Sequence, residues 1–158
     1  MGTTTNRKLE VARGYRRLLV PLDDRPESFD ALDIACRLAA DDHASITALR
    51  VLEVPPLLPI DTHLEDAERA ARRLLERAGA TGDSYGVKVA TELVRARDAA
   101  SAVVERARSD GSEVIVIGAP RVTLQRSTAH AASESVRELI RRAPCRVMLI
   151  SPRSLQAA

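Results

Sequence analysis

The run "VIVIGAPRVTLQRSTAHAASESV", Val114 to Val136, joins an apolar strand-like segment to a polar turn and then to a helical pattern. A strand that passes through a turn into a helix is a ready anion site, because free backbone amides and the helix dipole both face the turn. Turns of that kind are built from several glycines, which let the backbone approach a phosphate closely. Here there is a single glycine, Gly118, with Arg121 and Arg126 further along and hydroxyls at Ser127, Thr128 and Ser133 as ligands or phosphorylation sites. A guanidinium binds phosphate through two parallel N–H bonds, so clamping by Arg121 is a physical substitute for backbone cradling. Three readings stand at this level: a nucleotide site, a site rebuilt around arginine, and a site that has been lost.

A second polar segment, "PLDDRPES", follows the first apolar run. Asp23 and Asp24 have the chemistry for acid–base work or for holding magnesium, which takes oxygen ligands. Adjacent acids ahead of a helix also stabilise it with no ligand present. His43, His63 and His130 fall in three separate connections, with no partner at metal-ligand spacing. Of these, His130 borders the turn after Gly118. There is no G-x-S-x-G elbow and no G-K-[ST] phosphate loop. No catalytic constellation emerges, and the expectation is a protein that is not an enzyme.

The totals narrow the class further. In 158 residues, 45% are hydrophobic and 29% charged, the balance of one globular domain. The net charge is +2, and the cations are interleaved with acids, as in "EDAERAARRLLERA", which makes a solvated helix face. Aromatic residues are 2% and tryptophan is absent, so base-stacking platforms are scarce and nucleic acid is not expected as a partner. No apolar run approaches the roughly 20 residues that span a bilayer. The start "MGTTTNRKLEVARGY" has no apolar core to serve as a signal peptide, and Asn6 departs from the myristoylation pattern. A soluble, cytoplasmic protein that is not inserted in a membrane is expected. Cys36 and Cys145 lie in separate apolar-patterned segments and read as small buried residues.

Five strand-like runs alternate with helical patterns. The strands are Arg17 to Leu22, Ser45 to Val54, Lys88 to Arg95, Glu113 to Gly118 and Arg146 to Ser151. Between them, Ser28 to Ala40 carries a helical stripe of Phe29, Leu32, Cys36 and Ala39. Leu64 to Ala78 forms another, with Gly79 and Gly82 as its stop. Asp98 is placed to cap a helix over Ala99 to Ser109, and Ala131 to Arg142 forms the last helix. Parallel strands need a crossover and each helix provides one, so the expected fold class is α/β: a single doubly wound domain with a mostly parallel sheet. With strand order 3-2-1-4-5, ligands bind beyond the carboxyl ends of strands one and four, where the winding reverses. Both "PLDDRPES" and "GAPRVTLQRS" face that crevice.

These landmarks resemble a family. "YRRLLVPLDDRPESFDALDIACRLA" is similar to the start of universal stress proteins, where a strand ending in V-P-x-D precedes a Ser-containing turn and a helix. "EVIVIGAP" followed by "RRAPCRVMLI" resembles their fourth strand, last helix and last strand. The similarity covers Tyr15 to Ser151, with residues 1–14 and 152–158 expected as loose tails. "VLEVPPLLPID", "VRARDAASAV" and "GAPR" look most like the copies associated with amino-acid permeases.

The resemblance implies an adenine-nucleotide alpha-hydrolase-like fold and a crevice bordered by Pro21, Asp23, Val51, Gly118, Arg121 and Ser133. Nucleotide-binding members share Gly, two residues, Gly, nine residues, Gly, then Ser or Thr. Gly118 matches the first glycine and Arg121 stands at the second. The third glycine and the hydroxyl fall on Ala131 and Ala132 counting forward, or on Ser133 and Glu134 counting back from "APCRV". Asp23 matches the acid that faces the nucleoside, Val51 borders the adenine pocket, and Arg25 stands where a small residue is usual. The leading expectation is a non-enzymatic stress-response protein whose ATP motif is degraded and which works through dimerisation and protein contacts. The alternatives are a sensor of ATP or AMP, with magnesium, or a regulatory partner of an amino-acid permease. The resemblance also implies a homodimer through the edge strand Arg146 to Ser151.

Overall fold

Strand β1 (Arg17–Leu22) is apolar almost throughout because both of its faces are covered. It lies third in a five-stranded parallel sheet of order β3-β2-β1-β4-β5, with β2 at Ser45–Glu53, β3 at Val89–Ala96, β4 at Val114–Gly118 and β5 at Arg146–Ile150. The crossovers are α1 (Pro26–Asp42), α2 (Glu65–Ser84), α3 (Ala99–Asp110) and α4 (Arg126–Arg142). This computed structural model describes residues 14–119 and 126–152, and gives only the backbone course of residues 126–133. Fold class and strand order are as the sequence implied.

Strand alternation divides the core in two. Leu18, Val20 and Leu22 point to the side covered by α1 and α2, where they meet Leu32, Cys36 and Leu75. Leu19, Leu49, Ile115 and Ile117 point to the other side, against Val103 and Val104 of α3 and Leu139 of α4. Leu19, Leu49 and Ile115 are fully buried, and each such side chain contributes about 1.5–3 kcal/mol relative to exposure.

Three of the differences between the helix boundaries and the sequence reading have a clear physical cause. Helix α1 begins at Pro26 rather than Ser28, since proline suits the first helical turn, where its missing N–H is not needed. Helix α2 does not stop at Gly79 but runs through Gly82 to Ser84. A Cβ at Gly79 would have open space around it, whereas one at Gly82 would strike Val89 and the Val87 carbonyl oxygen. Gly82 is therefore a close-packing glycine rather than a helix stop, and the left-handed glycine follows at Gly86, φ +68°. Helix α4 begins at Arg126, ahead of the expected Ala131, because the run from Arg126 to Arg142 contains neither glycine nor proline. The cap expected of Asp98 is present: its side chain accepts a bond from the Ser101 amide at 2.8 Å. His43 closes α1 in the left-handed conformation.

Candidate functional site

The sheet opens at the place where its winding reverses. Pairing between β1 and β2 continues to Leu22↔Arg50, and pairing between β4 and β5 continues to Gly118↔Ile150. Pairing between β1 and β4 ends at Leu19↔Ile115. Pro21, which has no N–H to give a ladder, lies beyond that last pair. The two strands part there, and a cavity of about 380 Å³ occupies the gap, within the roughly 300–1,000 Å³ of small-molecule sites.

Its walls are largely apolar. Leu49 and Val51 of β2, Ile117 of β4, Val103 of α3, and Val136 and Leu139 of α4 line it, with Ala99 and Ala100 from the first turn of α3. Such a slot suits a flat, weakly polar group, and the polar groups are at the rim. Asp23 Oδ1 accepts the Arg25 backbone N–H at 2.9 Å, while Oδ2 accepts Arg25 Nε at 2.9 Å and Nη2 at 2.6 Å. Hydrogen bonding to Asp23 raises the Arg25 pKa, keeping the guanidinium firmly charged. Asp23 does not cap the helix amides themselves; Arg25 is the N-cap residue, with no side-chain cap bond. Ser28, buried beneath, has its hydroxyl 2.9 Å from the carbonyl oxygens of both Asp23 and Arg25, which fixes the turn.

A second arginine–aspartate pair stands beside the first. Arg50 Nη2 donates to Asp24 at 3.0 Å and Nη1 to the Leu22 carbonyl at 3.3 Å, while its buried Nε has no hydrogen-bond partner. Both candidate magnesium carboxylates are thus engaged by arginines, and the described residues do not fit a protein-held magnesium site. Among the described residues no group of three metal-ligating side chains occurs. The α3 N-terminus is also satisfied: Glu53 accepts the Ala99 amide at 2.9 Å, and Asp98 takes that of Ser101. The Ser101 hydroxyl and amide hold the Asp98 carboxyl below its usual range.

Packing alone gives Gly118 a reason to be glycine. A Cβ there would overlap the Glu27 carbonyl group and come within 2.6 Å of the Ser28 amide nitrogen. The first turn of α1 packs directly on the end of β4, and no side chain fits between them. The left-handed region, with φ +68° at Gly86 and +62° at Gly111, is not what requires this glycine.

Of the residues singled out from the sequence, Pro21, Asp23, Val51 and Gly118 come together around one cavity. Arg121 lies outside the described residues, as do the side chains of Ser133, Arg126, Ser127, Thr128 and His130; the backbone of Ser133 lies within α4. Arg50, Ala100, Val103 and Val136 were not singled out. Arg50 carried a signal, being the one charged residue in the strand "SITALRVLE" ahead of its terminal Glu53. His63 approaches the buried Glu68 carboxylate at 3.5 Å, and that carboxylate also pairs with Arg95, away from the cavity. Burial raises the Cys36 thiol to about 11, which leaves it protonated and unreactive at neutral pH. Among the described residues, no helix is long and apolar enough to cross a membrane.

The model of the universal stress protein family matches residues 14–151. The chain belongs to the universal stress protein family. A family member from Burkholderia pseudomallei is 30% identical, with a TM-score of 0.66 over 86% of this chain and 96% of the other. The universal stress protein of Archaeoglobus fulgidus in complex with dAMP is 19% identical, with a TM-score of 0.67 over 86% of this chain and 98% of the other. An Arabidopsis thaliana family protein with AMP bound is 16% identical, with a TM-score of 0.58 over 90% and 96% of the two chains. At those lower identities the likeness is one of fold. No curated protein matches the chain.

Proposed function

We propose that this universal stress protein is a non-catalytic sensor that binds an adenine nucleotide in the cavity between β1 and β4. The observation that carries the reading is the cavity itself, open where the β1–β4 ladder ends, apolar inside and charged at the rim. A site lost in evolution is under no constraint to stay empty, and filling it with side chains would gain burial. In this reading the base lies against Val51, Leu49 and Ile117, with Pro21 and Gly118 at its edges and Asp23 facing the sugar. Arg121 and Ser133 are assigned to the phosphate side. The AMP and dAMP held by the Arabidopsis and Archaeoglobus proteins support the choice of ligand class. Magnesium would arrive with a polyphosphate rather than bind protein carboxylates.

Thermal melting with millimolar ATP, AMP or cyclic AMP, each with magnesium, tests the reading. A ligand at a hundredfold excess over its Kd stabilises the native state by about 2.7 kcal/mol, which raises the melting temperature by roughly 5–10 °C. A cooperative melt that no nucleotide shifts would return the reading to a degraded site that works through protein contacts.

An observation also favours self-association. Strand β5 is the sheet edge beyond β4, and Leu149 on it is 46% exposed. An apolar edge with free backbone groups pairs readily across a two-fold axis, so the expected assembly is a homodimer through Arg146 to Ser151. Light scattering should give a dimer for the native chain and a monomer for Leu149→Glu. A native monomer at tens of micromolar would rule the assembly out.

A further inference from the structure

The Asp23–Arg25 pair is built from two residues of one turn, and among the described residues the Arg25 guanidinium has Asp23 as its sole partner. Both side chains are partly open to solvent, at 43% for Arg25 and 35% for Asp23. A partly exposed pair of this kind is weakly held, and among the described residues its release breaks no side-chain hydrogen bond other than those to Asp23. Arg50 differs on each count. Its side chain is 18% exposed, and its guanidinium is tied to both the Leu22 carbonyl and Asp24. Among the described residues two arginines therefore line the cavity, Arg50 tied at two points and Arg25 held by Asp23 alone.

The pair also determines the charge that a ligand meets. Three N–H groups of Arg25 occupy the Asp23 carboxylate, so a bare acid does not stand at the mouth to repel an anion. A phosphate carries more charge than a carboxylate and accepts the same two-pronged guanidinium bond. A phosphate arriving at the rim competes for Arg25 on favourable terms. Once the guanidinium moves, Asp23 Oδ2 loses two donors and becomes an open acceptor at the cavity.

We infer that Arg25 is the anion-selecting residue of this cavity: it exchanges Asp23 for the ligand phosphate and thereby frees the Asp23 carboxylate to accept a ligand hydroxyl. This rests on the nucleotide reading above. It assigns phosphate recognition to a side chain of the turn between β1 and α1.

Calorimetric titration of the full chain with AMP and with adenosine tests it, because the two differ only by the phosphate. Native protein is expected to prefer AMP by about tenfold or more, the value of one or two charged hydrogen bonds. Arg25→Ala should cut that ratio several-fold even with Arg121 and Ser133 in place, and Arg25→Lys should restore part of it. Asp23→Asn, which leaves the guanidinium unclaimed, should keep or widen it. If the pair only shapes the helix start, both alanine and asparagine variants will lower the melting temperature and leave the ratio as it was, and the inference falls. A native preference that Arg25→Ala retains also overturns it, since the phosphate is then read elsewhere. Absence of binding by either compound overturns the nucleotide reading together with this one, an outcome distinct from a retained ratio.

Discussion

Gly118→Ala is expected to lower the melting temperature of the ligand-free protein by roughly 10 °C, because overpacking at a fixed backbone contact costs about 3 kcal/mol. The new methyl would meet the Glu27 carbonyl group and the Ser28 amide, which are backbone and cannot rotate away as a flexible side chain would. Relief requires the first turn of α1 to lift from β4. The Ser28 hydroxyl, bonded to the Asp23 and Arg25 carbonyls, opposes that movement. A phosphate-binding role alone predicts the opposite sign. Gly118 does not have the positive φ of Gly86 and Gly111, so alanine there would restrict the unfolded chain and add about 0.4–1 kcal/mol of stability. Melting of the ligand-free variant separates the two. A temperature equal to or above that of the native chain would show that the helix can yield and that the glycine serves a ligand.

The same residue shows what the sequence made legible and what it did not. Gly118 was found because it ends the apolar run "VIVIG" and matches a family glycine, and both facts located it correctly at the crevice. What it touches depends on α1, ninety residues earlier in the chain, and nothing near Gly118 in sequence reports that contact. Gly82 is a parallel case. Local propensity reads a glycine after a helical stripe as a stop, but the tertiary approach of Val87 and Val89 gives it a place inside the helix. By contrast, the Asp98 cap and the alternation of strands with helices are set within a few residues, and they were read directly. The four crevice residues that came together lie at strand ends or in the turns after them, where fold-level rules apply. Arg50, Ala100 and Val136 line the same cavity from within strand and helix patterns that read equally well as packing, and only the tertiary arrangement turns them toward it. Arg25 was noted for its size at a position where small residues are usual. Its pairing with Asp23, only two residues away, is what converts an obstruction into a charge device.

Ala100→Leu should abolish nucleotide-dependent stabilisation while leaving the ligand-free melt unchanged or slightly higher. Ala100 is 9% exposed, stands in the first turn of α3 and lines the cavity beside Val103. Leucine is nearly as good a helix former as alanine, and the cap made by Asp98 does not involve this side chain. The added branch would therefore extend into the 380 Å³ space instead of straining the helix. Its burial there favours the folded state by a fraction of the roughly 0.8 kcal/mol per methylene, since part of the cavity is open. A base that needs the same volume is excluded. If the Kd rises a hundredfold, the stabilisation at a fixed ligand concentration falls from about 2.7 to about 0.4 kcal/mol, and the melting shift shrinks to about 1–2 °C. The sign pattern is the useful part. Loss of the shift with an intact ligand-free melt places the nucleoside between β1 and β4. A shift that survives Ala100→Leu means the ligand is held outside this cavity, and the apolar walls then serve only the core of the sheet.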